Sequence, residues 1–362
     1  MRLERLTLSS FRNYAELEIE PHAGLNVFVG ANAQGKSNLL EAIAMLAIGK
    51  SFRTSHDVQV IAWGSDRAVI RGDVAQLDER IELGCTVTNS TNGVRKRFTR
   101  AGRGVAYAQF LGTLRAVTFA PSDLQLVTGP PASRRAFLNA ALAQQHPAYY
   151  HALSRYQSAL GQKNAMLRNA EPDEDLLAVY DRTLCENGAT LMTARAEFIA
   201  ALGEEASRSH AAWSREERLE LRYLPNIVPQ EPVSEAIAAR FEQVRHLERL
   251  RRTALAGPHR DDLTFLLDGR PLAAFGSQGQ QRTAVLALKA GEYAVMRESS
   301  GGEAPLLLLD DLLSELDEER AEAFLADVGA YEQAYLTATH RPPRLPDSSS
   351  LFAVSAAHVT LC

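Results

Sequence analysis

The octet Gly30-Ala31-Asn32-Ala33-Gln34-Gly35-Lys36-Ser37 fills every fixed position of the G-x-x-x-x-G-K-S/T phosphate-binding loop, and it constrains the fold more than any other stretch of the chain. Leu25-Asn26-Val27-Phe28-Val29 before it alternates like a strand, and Asn38-Leu39-Leu40-Glu41-Ala42-Ile43 after it continues as a helix, so the strand-loop-helix context of the motif is present. In such a loop the glycines let successive backbone N–H groups turn toward one anion, and the helix N-terminus adds its partial positive charge. Gly30, Asn32, Ala33, Gln34, Gly35, Lys36, Ser37 and Asn38 are therefore the expected nucleotide-binding residues. Lys36 is positioned to reach the β- and γ-phosphates and Ser37 to hold Mg²⁺.

A chain of 362 residues suits two domains, or one domain with a long insertion. The charged, strand-like Met1 to Ser10 does not read as a signal peptide, and no apolar run approaches a membrane span, so a cytosolic protein with no membrane partner is expected. Cys85, Cys185 and Cys362 have neither metal-ligand spacing nor even pairing, which fits free thiols in a reducing compartment. A net charge of −5 does not advertise nucleic-acid binding, but a local basic patch is the relevant footprint.

Up to about residue 120 the pattern is of short alternating segments, Arg2 to Phe11, Ala68 to Ala75, Arg80 to Thr88 and Val94 to Arg100, with Asn92-Gly93 as a hairpin turn. From about 132 to 252 the period changes. Leu138, Leu142, His146, Tyr149, Leu153, Tyr156 and Leu160 recur every three or four residues, as do Leu177, Tyr180, Leu184, Leu191, Arg195, Phe198 and Leu202. Pro172-Asp173 between the two series, with Asp173 as a helix cap, predicts an antiparallel pair. After 255 strand signals return, with Asp268-Gly269 as a second hairpin turn, then a helix from about Ser277 and a buried strand over Leu306-Leu307-Leu308-Leu309. Helices thus interrupt an α/β domain.

A phosphate-binding loop needs an acidic partner on a neighbouring strand, and Leu306 to Leu309 ends in Asp310-Asp311. Asp310 would complete the Mg²⁺ shell, and Asp311 would orient or polarise the attacking water. An acidic helix cap after a buried strand would read the same way in isolation. Most of the chain lies between Lys36 and Asp310, so something large is inserted between the halves of the site.

That split resembles the head domain of ABC-type and SMC-like ATPases, and so does Phe275-Gly276-Ser277-Gln278-Gly279-Gln280-Gln281-Arg282, placed like their signature loop. Ser277 would cap a helix whose N-terminus points at charge. The resemblance implies that Ser277, Gln278, Gly279 and Gln280 close over nucleotide bound to a second subunit, giving an ATP-dependent homodimer. Ser314-Glu315-Leu316-Asp317 is similar to the family's D-loop, and Thr339-His340 to its switch histidine, which places His340 beside Asp311 among the expected catalytic residues.

Three further stretches narrow the resemblance to the RecF family of bacterial recombination mediators. They are Leu6 to Tyr14, Pro121 to Leu138 (PSDLQLVTGPPASRRAFL) and Gly257-Pro258-His259-Arg260-Asp261-Asp262-Leu263. The resemblance implies ATP and Mg²⁺ as cofactors, weak hydrolysis, binding to duplex or gapped DNA, and cooperation with RecR, with RecO, in loading RecA. The expected fold class is α/β: an ABC/SMC-like P-loop ATPase head, a mixed sheet with helices, formed by 1–130 and 253–362 and interrupted by an α-helical insertion domain over 131–252. Some positions depart from the patterns. Asp311 replaces the glutamate usual among ABC ATPases, Asn139 stands where the RecF block ends in aspartate, and the Q-loop residue falls on Asp123 or Gln125. For DNA, two basic clusters stand out: Arg95, Lys96 and Arg97 with Arg100 and Arg103, and Arg245, Arg249, Arg251 and Arg252 on a helix. The competing reading is an ATPase subunit of another machine, a transporter or a nuclease-associated complex.

Overall fold

The computed structural model describes residues 1–76, 79–91, 93–214, 217–315, 324, 331–342 and 344–362, which form two compact units, 1–123 with 282–362 and 124–281. The first begins with β1 (Arg2–Phe11), β2 (Tyr14–Ile19), β3 (Gly24–Val29) and α1 (Lys36–Ile48). It continues through β4 (Arg67–Gln76), β5 (Glu79–Ser90), β6 (Gly93–Arg100), β7 (Arg103–Val105), α2 (Tyr107–Phe110) and β8 (Ala116–Phe119). The second holds α3 (Gln125–Thr128), α4 (Pro131–Gln145), α5 (Pro147–Met166), α6 (Glu174–Trp213), β9 (Leu219–Leu224), α7 (Val233–Arg251), β10 (Asp262–Leu267), β11 (Arg270–Pro271) and α8 (Leu272–Phe275). Helix α9 (Gln278–Glu298) passes from the second unit into the first, which ends with β12 (Leu306–Leu309), β13 (Gln333–Ala338), β14 (Ser350–Ser355) and β15 (His358–Leu361).

Two six-stranded sheets build the first unit. One is antiparallel, in the order β2-β1-β4-β5-β6-β7, and its strands alternate buried and exposed residues because only one face is covered. The alternation slips in β1, where Leu3 and Leu6 are both buried, because a bulge shifts the register between Leu3 and Arg5. The other sheet, β15-β14-β3-β13-β12-β8, is parallel except for its edge hairpin. All of Leu306–Leu309 and Gln333–Ala338 are buried, as continuous apolar strands covered on both faces must be. Helix α1 contacts both sheets, which is why Leu39 through Ala47 are buried without a polar stripe. Glu41 is the polar member of that run, and Arg12 and Ser51 satisfy its carboxylate. The expected hairpin closes with Ser90 opposite Gly93; Asn92 lies outside the described residues.

In the second unit the expected helical series is broken at His146, which is extended, because Pro147 disfavours the helical region for its predecessor and starts a new helix as its first residue. Asp173 caps α6 as expected, its Oδ1 accepting the Leu176 N–H at 3.0 Å. Lys163 pairs with Asp181 near the connection and Tyr149 with Arg195 farther along, so α5 and α6 run antiparallel. The stretch expected to be wholly helical also contains β9, which pairs with β10 in a three-stranded sheet. That pairing is why residues 253–281, expected in the head, group with the insertion.

The two sequence blocks at Pro121 and Gly257 meet inside this unit. Arg134 donates Nε and Nη2 to the Asp262 carboxylate at 2.6 and 3.0 Å, and Arg135 donates to the Asp261 carbonyl. Asp261, fully buried, takes Arg195 at 3.0 Å, the Tyr223 hydroxyl and the Asn226 N–H. Arg195, also buried, further donates to Pro258 O, Tyr149 and Asn139. Asn139 Oδ1 accepts from both Tyr149 and Arg195, so this chain meets the guanidinium with one carboxylate and a neutral amide. Beside them His259 accepts or shares the Tyr156 hydroxyl proton, and burial pushes its imidazole down to about 4, so it stays neutral.

Candidate functional site

The loop after β3 is held from two sides. From β1 and β2, Asn13 donates to Gln34 O at 3.1 Å and Tyr14 donates to Gly35 O at 3.1 Å. From the turn between β14 and β15, Ala356 N donates to Gln34 Oε1 at 2.6 Å and Ala357 N to Gln34 O at 3.2 Å. These contacts leave no room for side chains at the two glycines. A Cβ on Gly30 would stand 2.1 Å from Val354 O, and Gly35, with φ +118°, would put one 2.8 Å from Asn13 and Tyr14.

Among the described residues, the backbone N–H groups of Asn32, Ala33 and Gly35 have no hydrogen-bond partner, and they lie directly before the α1 N-terminus. Lys36 Nζ folds over this loop onto the carbonyls of Gly30 and Ala31, 2.6 and 2.9 Å away. Burial lowers its pKa, while Asp311 and Asp310 act in the opposite sense. The side chains of Gln34 and Asn38 both make contacts within the fold. Gln34 holds Ala356, and Asn38 donates to Asn13 and accepts from Arg53.

Asp310 converges on the loop as expected, but not from the adjacent strand. β13 lies between β3 and β12, and Asp310 reaches across its end to accept the Ser37 hydroxyl at 2.6 Å. The side chain that makes this work is Thr337 of β13, absent from the expected site. Its Oγ1 donates to Asp310 Oδ1 at 2.9 Å and accepts the Asp311 N–H at 2.8 Å, fixing both aspartates. Asp311 adopts φ 51°, a left-handed conformation that aspartate tolerates better than most residues, and Ser314 donates to its carbonyl. Two residues beyond β13, exposed His340 shares a 3.1 Å hydrogen bond with Thr339. Leu316 and Asp317 of the expected D-loop lie outside the described residues.

Ser277 caps α9 as expected. Its hydroxyl accepts the Gln280 N–H at 3.2 Å while Gln280 Oε1 accepts the Ser277 N–H at 2.7 Å, a reciprocal capping box. Gln280 also donates to Glu217, and this hydrogen bond lowers the pKa of that carboxyl. Of the two Q-loop candidates, Asp123 accepts the Ala120 N–H and faces Lys289, and Gln125 is exposed at the start of α3.

The basic clusters divide by face. Lys96 points inward and is tied to Asp57 at 2.9 Å and to Gly49 O, whereas Arg95 and Arg97 are exposed. On α7, Arg249 is neutralised by Glu174 at 2.5 Å and Arg245 by Glu242, Asp181 and Glu174, while Arg252 is exposed in the cap.

A family model described as the RecF/RecN/SMC N terminal domain matches residues 2–360. The chain is 42% identical to the DNA replication and repair protein RecF of Symbiobacterium thermophilum over all of its own length and 98% of that protein. With the protein of the same name from Bacillus cereus it shares 38% identity, over 94% of this chain and 92% of the other. A solved structure of the recombination mediator protein RecF-ATP in the RecFOR pathway superposes with a TM-score of 0.91 at 31% identity, covering 99% of this chain and 97% of that one. An SMC head bound to the C-winged helix domain of ScpA shares the fold, with a TM-score of 0.57 at 16% identity.

Proposed function

Because the chain belongs to the RecF family, we propose that it is an ATP-dependent, DNA-binding recombination mediator that pairs with a second copy when ATP is bound. In this reading it binds duplex or gapped DNA and, with RecR and RecO, helps load RecA during repair and replication restart. The observation that carries the reading is the convergence of Ser37, Asp310 and Thr337 beside the N-terminus of α1, with Lys36 folded over the loop. End-to-end identity with RecF proteins supports it over a transporter or nuclease-associated ATPase. Among the described residues no helix is long and apolar enough to cross a membrane.

A Mg²⁺-bound triphosphate fits this site, since loop N–H groups without hydrogen-bond partners precede the α1 N-terminus, Lys36 lies over the loop, and Ser37 and Asp310 offer hard oxygens. When bound, it would supply the phosphoanhydride that water cleaves. Lys36 and the loop N–H groups would hold the phosphates, and Ser37 and Asp310 would hold the cation. Asp311 orients water, with a shorter reach than glutamate, so hydrolysis is slow and acts as a switch. His340, two residues beyond β13, would act on the same phosphate, and the Ser277 to Gln280 turn would serve nucleotide on the partner subunit.

Asp311→Asn is expected to lower ATP hydrolysis by about 100-fold or more, the scale of losing a general base. Nucleotide-bound dimers should then persist, because Asp310 is untouched. Wild-type turnover in that variant would remove Asp311 from the role. Thr337→Val deletes the group that steadies Asp310, so the Mg²⁺ concentration needed for half-maximal hydrolysis should rise about 10-fold or more. An unchanged Mg²⁺ dependence would make Thr337 merely a packing residue.

A further inference from the structure

The antiparallel sheet turns one face away from α1, and the charges on that face are segregated. Toward β2, Arg5 is surrounded by Glu18, Glu20 and Asp73 at 3.5–3.7 Å. Toward β6 the pattern reverses. Ala68, Ile70, Gly72 and Val74 are buried, so Arg67, Val69 and Arg71 of β4 occupy the outer face. In register across β5, Arg67 aligns with Thr88 and Arg95, and Val69 with Thr86 and Arg97. Arg67, Arg71, Arg95 and Arg97 are exposed and make no ion pair among the described residues. Strand spacing sets the β4 and β6 rows about 10 Å apart, with Arg95 and Arg97 about 7 Å apart along their strand. Asp66, beside Arg67 in the chain, is the exposed carboxylate nearest in sequence.

Four residues before Arg67 in the chain stands Trp63, with its side chain fully exposed. It occupies the second position of a turn closed by Ser65 N–H to Ala62 O at 3.1 Å, with Gly64 at φ +81° in the third, and Ala62 N–H to Ser10 O ties the turn to the end of β1. An isolated surface indole needs no explanation. One presented on a fixed turn four residues from a row of unpaired arginines and threonines combines the two elements that hold nucleic acid without reading sequence, cations for phosphates and a flat ring for a base.

Resting on the DNA-binding reading, we infer that this face binds DNA at a junction between duplex and single strand: Arg67, Arg71, Arg95 and Arg97 take the duplex phosphates, and Trp63 stacks on the first unpaired base. Arginine suits phosphate through paired N–H donors, and the Thr86 and Thr88 hydroxyls add further donors between the rows. Stacking is indifferent to base identity, so the face recognises the structure of a gap rather than its sequence.

The test uses the full-length chain in a Trp213→Phe background, so that emission reports Trp63 alone, with a gapped duplex and a blunt duplex of equal length as probes. Gapped DNA should quench Trp63 and blunt duplex should not. Trp63→Ala should lower the preference for gapped DNA by at least about fivefold, Trp63→Phe should restore most of it, and ATP hydrolysis without DNA should be unchanged. Replacing the four arginines with glutamine should weaken both probes and reduce the slope of log affinity against log salt by about three to four. Equal quenching by both probes, or a Trp63→Ala chain with its preference intact, removes the stacking role. Unchanged salt slope and affinity in the four-arginine variant overturns the surface, as does polyglutamate competing as well as gapped DNA. A wild-type chain that binds neither probe defeats the DNA-binding reading itself, and this inference with it.

Discussion

Mixing a Lys36→Ala chain with a Ser277→Arg chain in ATP and Mg²⁺ is expected to yield heterodimers well above either homodimer. The two residues should fail differently. Lys36→Ala removes a charge-assisted contact to phosphate worth roughly 1.5–3 kcal/mol, so ATP affinity should fall by about 10- to 100-fold. Ser277→Arg leaves the loop after β3 intact, and ATP binding by the isolated chain should stay near wild type, but the bulky cation blocks closure over a partner's nucleotide. In a mixed dimer both lesions fall in one composite site, and the other site is wild type. Crosslinking differently tagged chains measures the ratio. If heterodimers are no more frequent than homodimers, the capped turn at Ser277 does not act on the partner's nucleotide.

Arg195→Met should destabilise the second unit by about 3–5 kcal/mol, the scale of stranding one member of a buried ion pair. The variant leaves Asp261 fully buried, with the Tyr223 hydroxyl and the Asn226 N–H but no cation. Tyr149 and Asn139 would also lose their shared donor. Urea unfolding followed by Trp213 emission reports this unit, because Trp213 lies at the end of α6 and Trp63 is already exposed in the native state. Adding Asp261→Asn to Arg195→Met should recover part of the loss, since it removes the stranded charge. A midpoint unchanged by Arg195→Met would show that the network is solvated and contributes little.

Much of this was legible because the informative residues are contiguous. Gly30 to Ser37 carries its own context, and the alternation of β4, β5 and β6 is local. What was not legible depends on pairing across the chain. Thr337 looks like any strand threonine until β13 is placed between β3 and β12. β9 alternates like a strand in LELRYL, but it lies in a helical region and its partner β10 comes after α7. Pro147 did announce the break between α4 and α5, and the apolar period running through it concealed the signal. Charge clusters mislead for the same reason: Lys96 and Arg249 look like free cations in the sequence, and distant Asp57 and Glu174 neutralise them. Conversely, the substitution at Asn139 acquires a meaning only when Arg195 is seen to have a single carboxylate partner.

The strand that carries the phosphate-binding loop has both of its sheet neighbours, β13 and β14, at the far end of the chain, and the turn that pins Gln34 lies beyond them. During synthesis the antiparallel strands β1, β2, β4 and β5 can pair early, whereas β3 must wait for residues 333–357. At about 5–20 residues per second that delay lasts roughly 15–60 seconds. A nascent chain therefore has no completed phosphate-binding loop for most of its time on the ribosome, because the central sheet that holds the loop closes last.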